Sequence, residues 1–199
     1  AMNGAQGCDW EKITHGLGED WVFTNAGYKY WPTCGMFQSP LDAFTKIIDE
    51  NDLKPEEISD VLVKIEAFAG LPKYVNADPH DHVEAASSLP YCIAVAAHRI
   101  QRGPAWQAKS VIENPRIRSF MKKVRHATNP RSEELRQQDL IVEGRPYLSH
   151  RPADVEVRAR DQIFVQAVDY ANWLSIGVEE CRPTDEGLVE KFRSNARAV

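Results

Sequence analysis

Long hydrophobic runs are missing from this chain: none approaches the roughly 20 residues that a membrane-spanning helix needs. The opening residues, Ala1-Met2-Asn3-Gly4, have neither a basic segment nor an apolar stretch, so they do not form a secretory signal. The glycine patterns GxGxxG and GxxxxGK[ST] are also absent, which argues against a doubly wound nucleotide-binding fold. We therefore expect a cytoplasmic protein without a membrane segment.

The chain has no excess of positive charge. Its formal net charge is -5 at pH 7, and its calculated pI is about 5.7. A broad nucleic-acid surface needs clustered lysine and arginine, so no nucleic-acid partner is expected. The local basic run at residues 116–125 is interpreted as a solvated surface rather than a phosphate-binding patch.

Paired cysteine and histidine motifs are lacking as well. The four cysteines lie far apart and none belongs to a CxxC pair: they are Cys8, Cys34, Cys92 and Cys181. This spacing favours free thiols over a disulfide framework and makes structural zinc improbable. His80 and His82 flank Asp81 in a loop rich in proline and aspartate, but no third ligand stands at a recognisable spacing. No metal site is predicted.

Two segments have the periodicity of packed helices. After Pro40, the residues Leu41, Phe44, Ile47 and Ile48 form one apolar face. The second segment follows Ser88, a suitable N-cap, and tolerates Pro90 in its first turn. Its apolar positions are Leu89, Cys92, Ile93, Ala96, Ala97 and Ile100.

The remaining pattern mixes strands and short helices. Strands are predicted at residues 21–29, 58–68 and 122–128, and a hairpin at 155–160 and 163–169 turns around Asp161-Gln162. A short helix is predicted from Pro115 to about Met121, and a last helix opens at Pro183. Residues 70–82 read as a loop, and residues 129–152 as an elaborated surface segment.

These elements predict an α+β fold: a two-layer sandwich of a mostly antiparallel sheet with helices packed on one face, plus a C-terminal helix. At 199 residues the chain is long enough for one domain. The expected organisation is an irregular lead-in over residues 1–20, the α+β domain over 21–182, and the C-terminal helix over 183–199.

The segment Tyr28-Lys29-Tyr30-Trp31-Pro32-Thr33-Cys34 carries the strongest functional signal. Lys29 precedes a rigid aromatic-proline turn, and the chain then enters the helix of Gln38-Ser39-Pro40-Leu41-Asp42-Ala43. A cation beside a helix start is a natural place for a carboxylate.

Several segments, in this order, resemble the MmgE/PrpD family, which includes 2-methylcitrate dehydratases, cis-aconitate decarboxylases and iminodisuccinate epimerases. They are Gly16-Leu17-Gly18 with Trp21, Tyr28-Lys29 through Cys34, Pro40 to Ala43, Leu53-Lys54-Pro55-Glu56-Glu57-Ile58, Glu84 to Tyr91, and Pro183-Thr184 with Lys191-Phe192. Family members have a large helical domain and a smaller α+β domain with the active site between them. The sequence resembles the smaller domain, and the helical domain is absent from it.

The resemblance implies a cofactor-independent lyase or isomerase that acts on small di- or tricarboxylates. Lys29 corresponds to the family lysine that faces the cleft, where it binds a carboxylate or donates a proton; the alternative is an exposed lysine at a strand end. Tyr91 matches the tyrosine of the family's Ser-Leu-Pro-Tyr segment, as a second catalytic candidate; the alternative is a packing tyrosine. Lys29 and Tyr91 are the predicted catalytic residues.

Two further residues are predicted to bind substrate. Gln38 stands where many relatives have a histidine, and glutamine holds a hydrogen bond but does not exchange a proton near neutral pH. His82 is expected to approach the cleft, or otherwise to lie in a solvated loop. Because of Gln38, either the chemistry differs in this protein or the activity is weakened or lost.

The resemblance also implies a helical MmgE/PrpD domain or subunit as partner, and a homo- or hetero-oligomer. If Met2 is the native start, a split two-subunit enzyme is expected. Two other hypotheses stay open: a non-catalytic interaction or assembly module that retains the fold, and a free-standing domain that binds small molecules by itself.

Overall fold

Four strands form one mixed sheet in the computed structural model, which describes residues 11, 14–19, 21, 27–144, 148, 150–173 and 178–197. They are β1 (Ile58–Ile65), β2 (Val124–Thr128), β3 (Ala153–Ala159) and β4 (Gln162–Val168), in the spatial order β2-β1-β3-β4. The β1–β2 pair is parallel, whereas β1–β3 and β3–β4 are antiparallel. The predicted, mostly antiparallel α+β sheet is confirmed.

The helices of the described residues surround this sheet. They are α1 (Gln38–Glu50), α2 (His82–Ser87), α3 (Leu89–Ala97), α4 (Lys109–Ile112), α5 (Pro115–Met121), α6 (Pro130–Gln137) and α7 (Asp185–Ala196). None of the helices described is long and apolar enough to cross a membrane.

The side chains of each strand alternate between the two faces of the sheet, so every second residue lies on the face that the helices cover. Val61 and Val63 of β1, and Val155 and Val157 of β3, lie on the buried face. Helix α1 contacts β3 and β4, and α3 contacts β2, so these helices form the second layer of the sandwich.

Helix α1 buries the predicted face of Leu41, Phe44, Ile47 and Ile48. It begins two residues before Pro40, at Gln38, and Gln38 itself is buried. The N-terminal turn of α1 is thereby enclosed in the core, which becomes important at the functional site.

Helix α3 is capped as predicted: the Ser88 hydroxyl accepts a hydrogen bond from the backbone N–H of Tyr91 at 3.2 Å. The predicted apolar positions within α3 are buried, and so are its other residues, because all nine residues of the helix are buried. The reason is its position among α1, α2, α5 and β2, which leaves no face of the helix to solvent.

Other boundaries differ locally from the prediction. Strand β1 ends at Ile65, and a 3-10 turn follows where the strand was expected to continue. The predicted surface segment at 129–152 contains α6, capped by Asn129, whose side chain accepts from the N–H of Arg131. The predicted strand at 21–29 and the lead-in at 1–20 lie mostly outside the described residues, and residues 27–29 form no strand.

The β3–β4 hairpin turns at Arg160-Asp161, one residue earlier than predicted. Both residues have positive φ, 51° and 57°, as a two-residue type I′ turn requires. The turn is tied to the start of β1, since the Arg160 guanidinium donates to both carboxylate oxygens of Glu57 at 2.7 and 2.8 Å.

This contact predicts how stability depends on acid. The hydrogen bonds from Arg160 lower the pKa of Glu57 from 4.5 to about 2. The ionised carboxylate therefore contributes stability above pH 4.5 that is lost as the pH falls through about 2. Urea unfolding at a series of pH values between 4.5 and about 2 would give the free energy of unfolding at each pH. This free energy should fall less steeply with decreasing pH in Glu57→Gln than in the wild type.

The neighbouring substitution Glu56→Gln is the matched control, because Glu56 is exposed. In this variant the free energy of unfolding should fall with decreasing pH as steeply as in the wild type. The same slope in Glu57→Gln and the wild type would contradict the prediction.

Candidate functional site

Residues 28–34, the platform loop, are fastened to the core by the buried amide of Gln38. The Gln38 oxygen accepts from the N–H of Trp31 at 2.8 Å, and its nitrogen donates to the Trp31 carbonyl at 3.0 Å. The same nitrogen lies 3.4 Å from the Thr33 hydroxyl and 3.5 Å from the Cys34 carbonyl. Gln38 is 0% exposed, so one side chain satisfies both backbone groups of Trp31.

Two more side chains hold this loop. Asp42 accepts from the indole N–H of Trp31 at 2.7 Å and from the N–H of Asn172 at 2.8 Å. Burial raises the pKa of Asp42 above its usual range, although these hydrogen bonds oppose the shift. Gln107 donates to the Pro32 carbonyl at 2.7 Å. The loop is therefore a pre-organised platform.

An aromatic cluster extends from the platform loop. The Tyr30 ring lies edge-on to Trp31 and Trp173, with centroids 5.1 and 5.0 Å away, and Trp31 lies 5.6 Å from Trp106. The guanidinium carbon of Arg102 lies 3.5 Å from the Tyr30 centroid, which is a close cation–π contact. The cluster thus holds a cation at the protein surface.

Helix α7 closes one side of a cleft beside this cluster. Gly103 permits the approach: its φ is +143°, and a Cβ there would lie 3.4 Å from the Oδ1 of Asn195. The resulting α7 cleft has a volume of about 520 Å³. Its lining includes Tyr30, Arg102, Gln107, Glu190 and Lys191.

Lys191 connects α7 to the platform loop. Its ammonium donates a hydrogen bond to the backbone carbonyl of Lys29 and lies 5.5 Å from the centroid of Trp173. Burial lowers the pKa of Lys191, and the positive charges of Arg102 and Lys29 lower it further. The Arg102 guanidinium carbon and the Lys191 ammonium thus lie 5.9 and 5.5 Å from the Trp173 ring centroid, and Lys191 is hydrogen-bonded to the backbone of Lys29. These three residues, Lys29, Arg102 and Lys191, are called the cation group.

Lys29 contacts this site through its backbone carbonyl, which accepts from Lys191, but neither Lys29 nor the other predicted residues are among those that line the α7 cleft. The catalytic role of Lys29 stays a prediction. Lys29 is exposed next to Tyr30, which lines the cleft. Gln38 lies beneath the platform loop with its amide directed at backbone groups. Its predicted contact with substrate stays a prediction, and what the structure assigns to it is the support of the loop.

Tyr91 lies behind the site. It is 1% exposed, and its hydroxyl donates to the Trp106 carbonyl. Burial, followed by the neighbouring Cys92, raises the pKa of its phenol. Tyr91 therefore supports Trp106, which in turn lies against Trp31. Its proposed catalytic role stays a prediction.

His82 is the first residue of α2 and is exposed. It is not among the residues that line the α7 cleft, so its role in binding also stays a prediction. No group of three histidine, cysteine or acidic side chains able to hold a metal occurs among the described residues.

The fold and site define an α+β domain with a cationic, aromatic cleft at one edge. Residues 31–199 match the family model of the MmgE/PrpD C-terminal domain, and the chain therefore belongs to that family. The match supports the C-terminal, smaller domain and confirms the resemblance found in the sequence. A search of the curated proteins found no match.

Sequence reasoning missed most of the cleft. The sequence patterns single out neither Arg102 nor Trp173 as a site residue, and Lys191 enters only as part of a segment that resembles the family. Arg102 and Lys191 are 89 residues apart in the chain, and no periodic pattern connects them. Only the docking of α7 against residues 101–104 brings them together.

Proposed function

We propose that this chain is the C-terminal part of a cofactor-independent lyase or isomerase for small di- or tricarboxylates. A helical domain or partner subunit completes its site. The observation that supports this proposal most directly is the cation group at the α7 cleft, in a chain that belongs to the MmgE/PrpD family. Among the described residues, none of Lys29, Arg102 and Lys191 forms an ion pair with an acidic side chain. Anionic substrate groups would provide that charge.

The chemistry expected of this half-site is substrate binding and charge stabilisation. Removal of water or CO2 from a polycarboxylate, or inversion of a stereocentre next to a carboxylate, develops negative charge that nearby cations stabilise. A proton-exchanging group is also needed. Gln38 does not provide one, and the buried Tyr91 hydroxyl is committed to Trp106. We therefore assign proton transfer mainly to the completing domain.

The exposed face of α7 is the surface proposed for that domain. Val189 and Phe192, one turn apart, are 46% and 72% exposed. The family match covers the C-terminal domain, the resemblance implies a helical domain with the active site between the two, and α7 borders the proposed site. These points favour a helical MmgE/PrpD domain as the occupant of this face.

Without that occupant, the isolated chain should self-associate through α7. Phe192→Ser is expected to lower the oligomeric fraction in sedimentation velocity, because it removes the most exposed aromatic ring of the helix. Val165→Ser is the matched control, since Val165 is 63% exposed on β4, away from α7. An effect of Val165→Ser alone would contradict the assignment.

The direct experiment is a turnover screen of methylcitrate, cis-aconitate and related acids. The chain would be assayed alone and together with a candidate helical partner, after a copurification test of binding. Turnover is expected only with the partner. A partner that binds while every acid is left unchanged would contradict the proposal.

Two contacts favour the second hypothesis, a non-catalytic interaction or assembly module. The amide of Gln38 and the hydroxyl of Tyr91 both donate to backbone carbonyls inside the fold, and neither residue is among those that line the α7 cleft. Partner binding without carboxylate binding would distinguish this module from the enzyme.

A further inference from the structure

Arg102 is a cation whose hydrogen-bonding edge is unused. Its guanidinium stacks on Tyr30, and its carbon lies 5.8 and 5.9 Å from the centroids of Trp31 and Trp173. No hydrogen bond or ion pair of its guanidinium occurs within the part of the chain that the structure describes. Stacking covers the face of a guanidinium but leaves its in-plane N–H donors available, a geometry suited to a carboxylate.

Lys191 is a second cation beside the same indole ring. Its ammonium lies 5.5 Å from the Trp173 centroid and is positioned by its bond to the Lys29 carbonyl. Burial lowers the pKa of Lys191, and the positive charges of Arg102 and Lys29 lower it further. Asp42 interacts electrostatically with Arg102 and offsets part of this positive charge, but these two described residues form no ion pair. Glu190 also lines the cleft, but within the described chain it forms no ion pair with either cation.

The α7 cleft has room for a small anion between these side chains. Its volume of about 520 Å³ lies within the range of roughly 300–1,000 Å³ that is usual for small-molecule sites. Arg102, Lys191 and Gln107 supply donors, while Tyr30 and Pro32 supply an apolar wall. A polycarboxylate fits this mixture better than a hydrophobic ligand.

We propose that Arg102 and Lys191 form a second carboxylate subsite, separate from Lys29, which makes the site selective for polycarboxylates over monocarboxylates. The assignment deepens the proposed function and rests on it for the identity of the substrate. Lys29 binds one carboxylate at the rim of the platform loop, and the Arg102–Lys191 subsite binds another inside the cleft. Arg102 and Lys191 are thus the specificity-determining residues.

The subsite can be tested by binding to the full chain, without turnover. Tricarballylate, an unreactive tricarboxylate, and propionate, a monocarboxylate, would be titrated at low ionic strength by calorimetry or NMR. Arg102→Gln and Lys191→Met are each expected to weaken tricarballylate binding about tenfold and to change propionate binding less than about twofold. Lys109→Met, on the exposed surface of α4, is the control and should change neither.

The outcomes separate this subsite from the proposed function. Two results would overturn the subsite. One is that the wild-type chain does not bind tricarballylate at millimolar concentration, and the other is that the Arg102 and Lys191 variants bind it as tightly as the wild type. Thermal melting of each variant would establish that it is folded. Tricarballylate binding that depends on Arg102 and Lys191, without turnover in the partnered enzyme, would retain the subsite and reject the enzyme. Turnover that depends on Lys29 but not on Arg102 would support the proposed enzyme and reject the Arg102–Lys191 subsite.

Discussion

Lys29→Ala, in the chain assembled with its helical partner, is expected to lower kcat/KM by about 30- to 1,000-fold. This corresponds to about 2–4 kcal/mol of transition-state stabilisation, the loss expected when a direct charge contact to the reacting anion is removed. The exposed side chain of Lys29 stands next to the cleft, and its carbonyl holds Lys191. Alanine removes the charge but retains that carbonyl, so the position of α7 should not change.

Steady-state kinetics of the assembled enzyme would measure this effect, with Lys109→Ala as the control at another exposed lysine. Lys109 lies on α4 and does not line the α7 cleft. Turnover of Lys29→Ala equal to that of the wild type would remove Lys29 from the site. A change in KM alone would show that Lys29 binds the substrate and its transition state equally well.

Gln38→Leu is expected to lower the free energy of unfolding by about 1–3 kcal/mol, because it leaves the N–H of Trp31 without a partner. The Trp31 carbonyl keeps its hydrogen bond from the N–H of Thr33 at 2.8 Å. Leucine has a similar volume, so the loss reports hydrogen bonding more than packing. Both bonds to Trp31 are short, at 2.8 and 3.0 Å, and Gln38 is fully buried. The platform loop should also loosen, which would reduce anion binding in the cleft.

Chemical denaturation of the isolated chain would measure this loss. Gln162→Leu is the matched control, because Gln162 is exposed at the start of β4 and a surface exchange usually changes stability by less than about 0.5 kcal/mol. If Gln38→Leu were as stable as the control yet bound carboxylates poorly, Gln38 would be a substrate-binding residue, as the sequence predicts.

The secondary structure was largely predictable where a single face is buried. The apolar face of α1 and the Ser88 cap appear as predicted. Strand β1 and the β3–β4 hairpin also form, although β1 ends earlier than predicted and the hairpin turn lies one residue earlier. In each case the signal is local, because period and capping depend on residues close in sequence. The predicted apolar positions of α3 are buried, but neighbouring elements bury that helix on every side, which periodicity does not report.

The candidate site was predictable only in part. The platform loop beside the cleft was predictable because its signal is one contiguous motif, whereas the catalytic role of Lys29 stays a prediction. The roles of Gln38 and Tyr91 were expected to be chemical, yet both side chains hydrogen-bond to backbone inside the fold. Whether a polar side chain faces a cleft or a carbonyl depends on which distant backbone groups lack partners, and a motif does not contain that information.

The amino-acid sequence by itself determined the family, the α+β class and the lysine of the platform loop, since composition, periodicity and contiguous motifs suffice for these. Only the tertiary structure decided that Arg102 and Lys191 line one cleft beside the platform loop, and that the side chains of Gln38 and Tyr91 bond to backbone behind it. The physical reason is that the cleft forms between segments far apart in the chain, where α7 packs against residues 101–104.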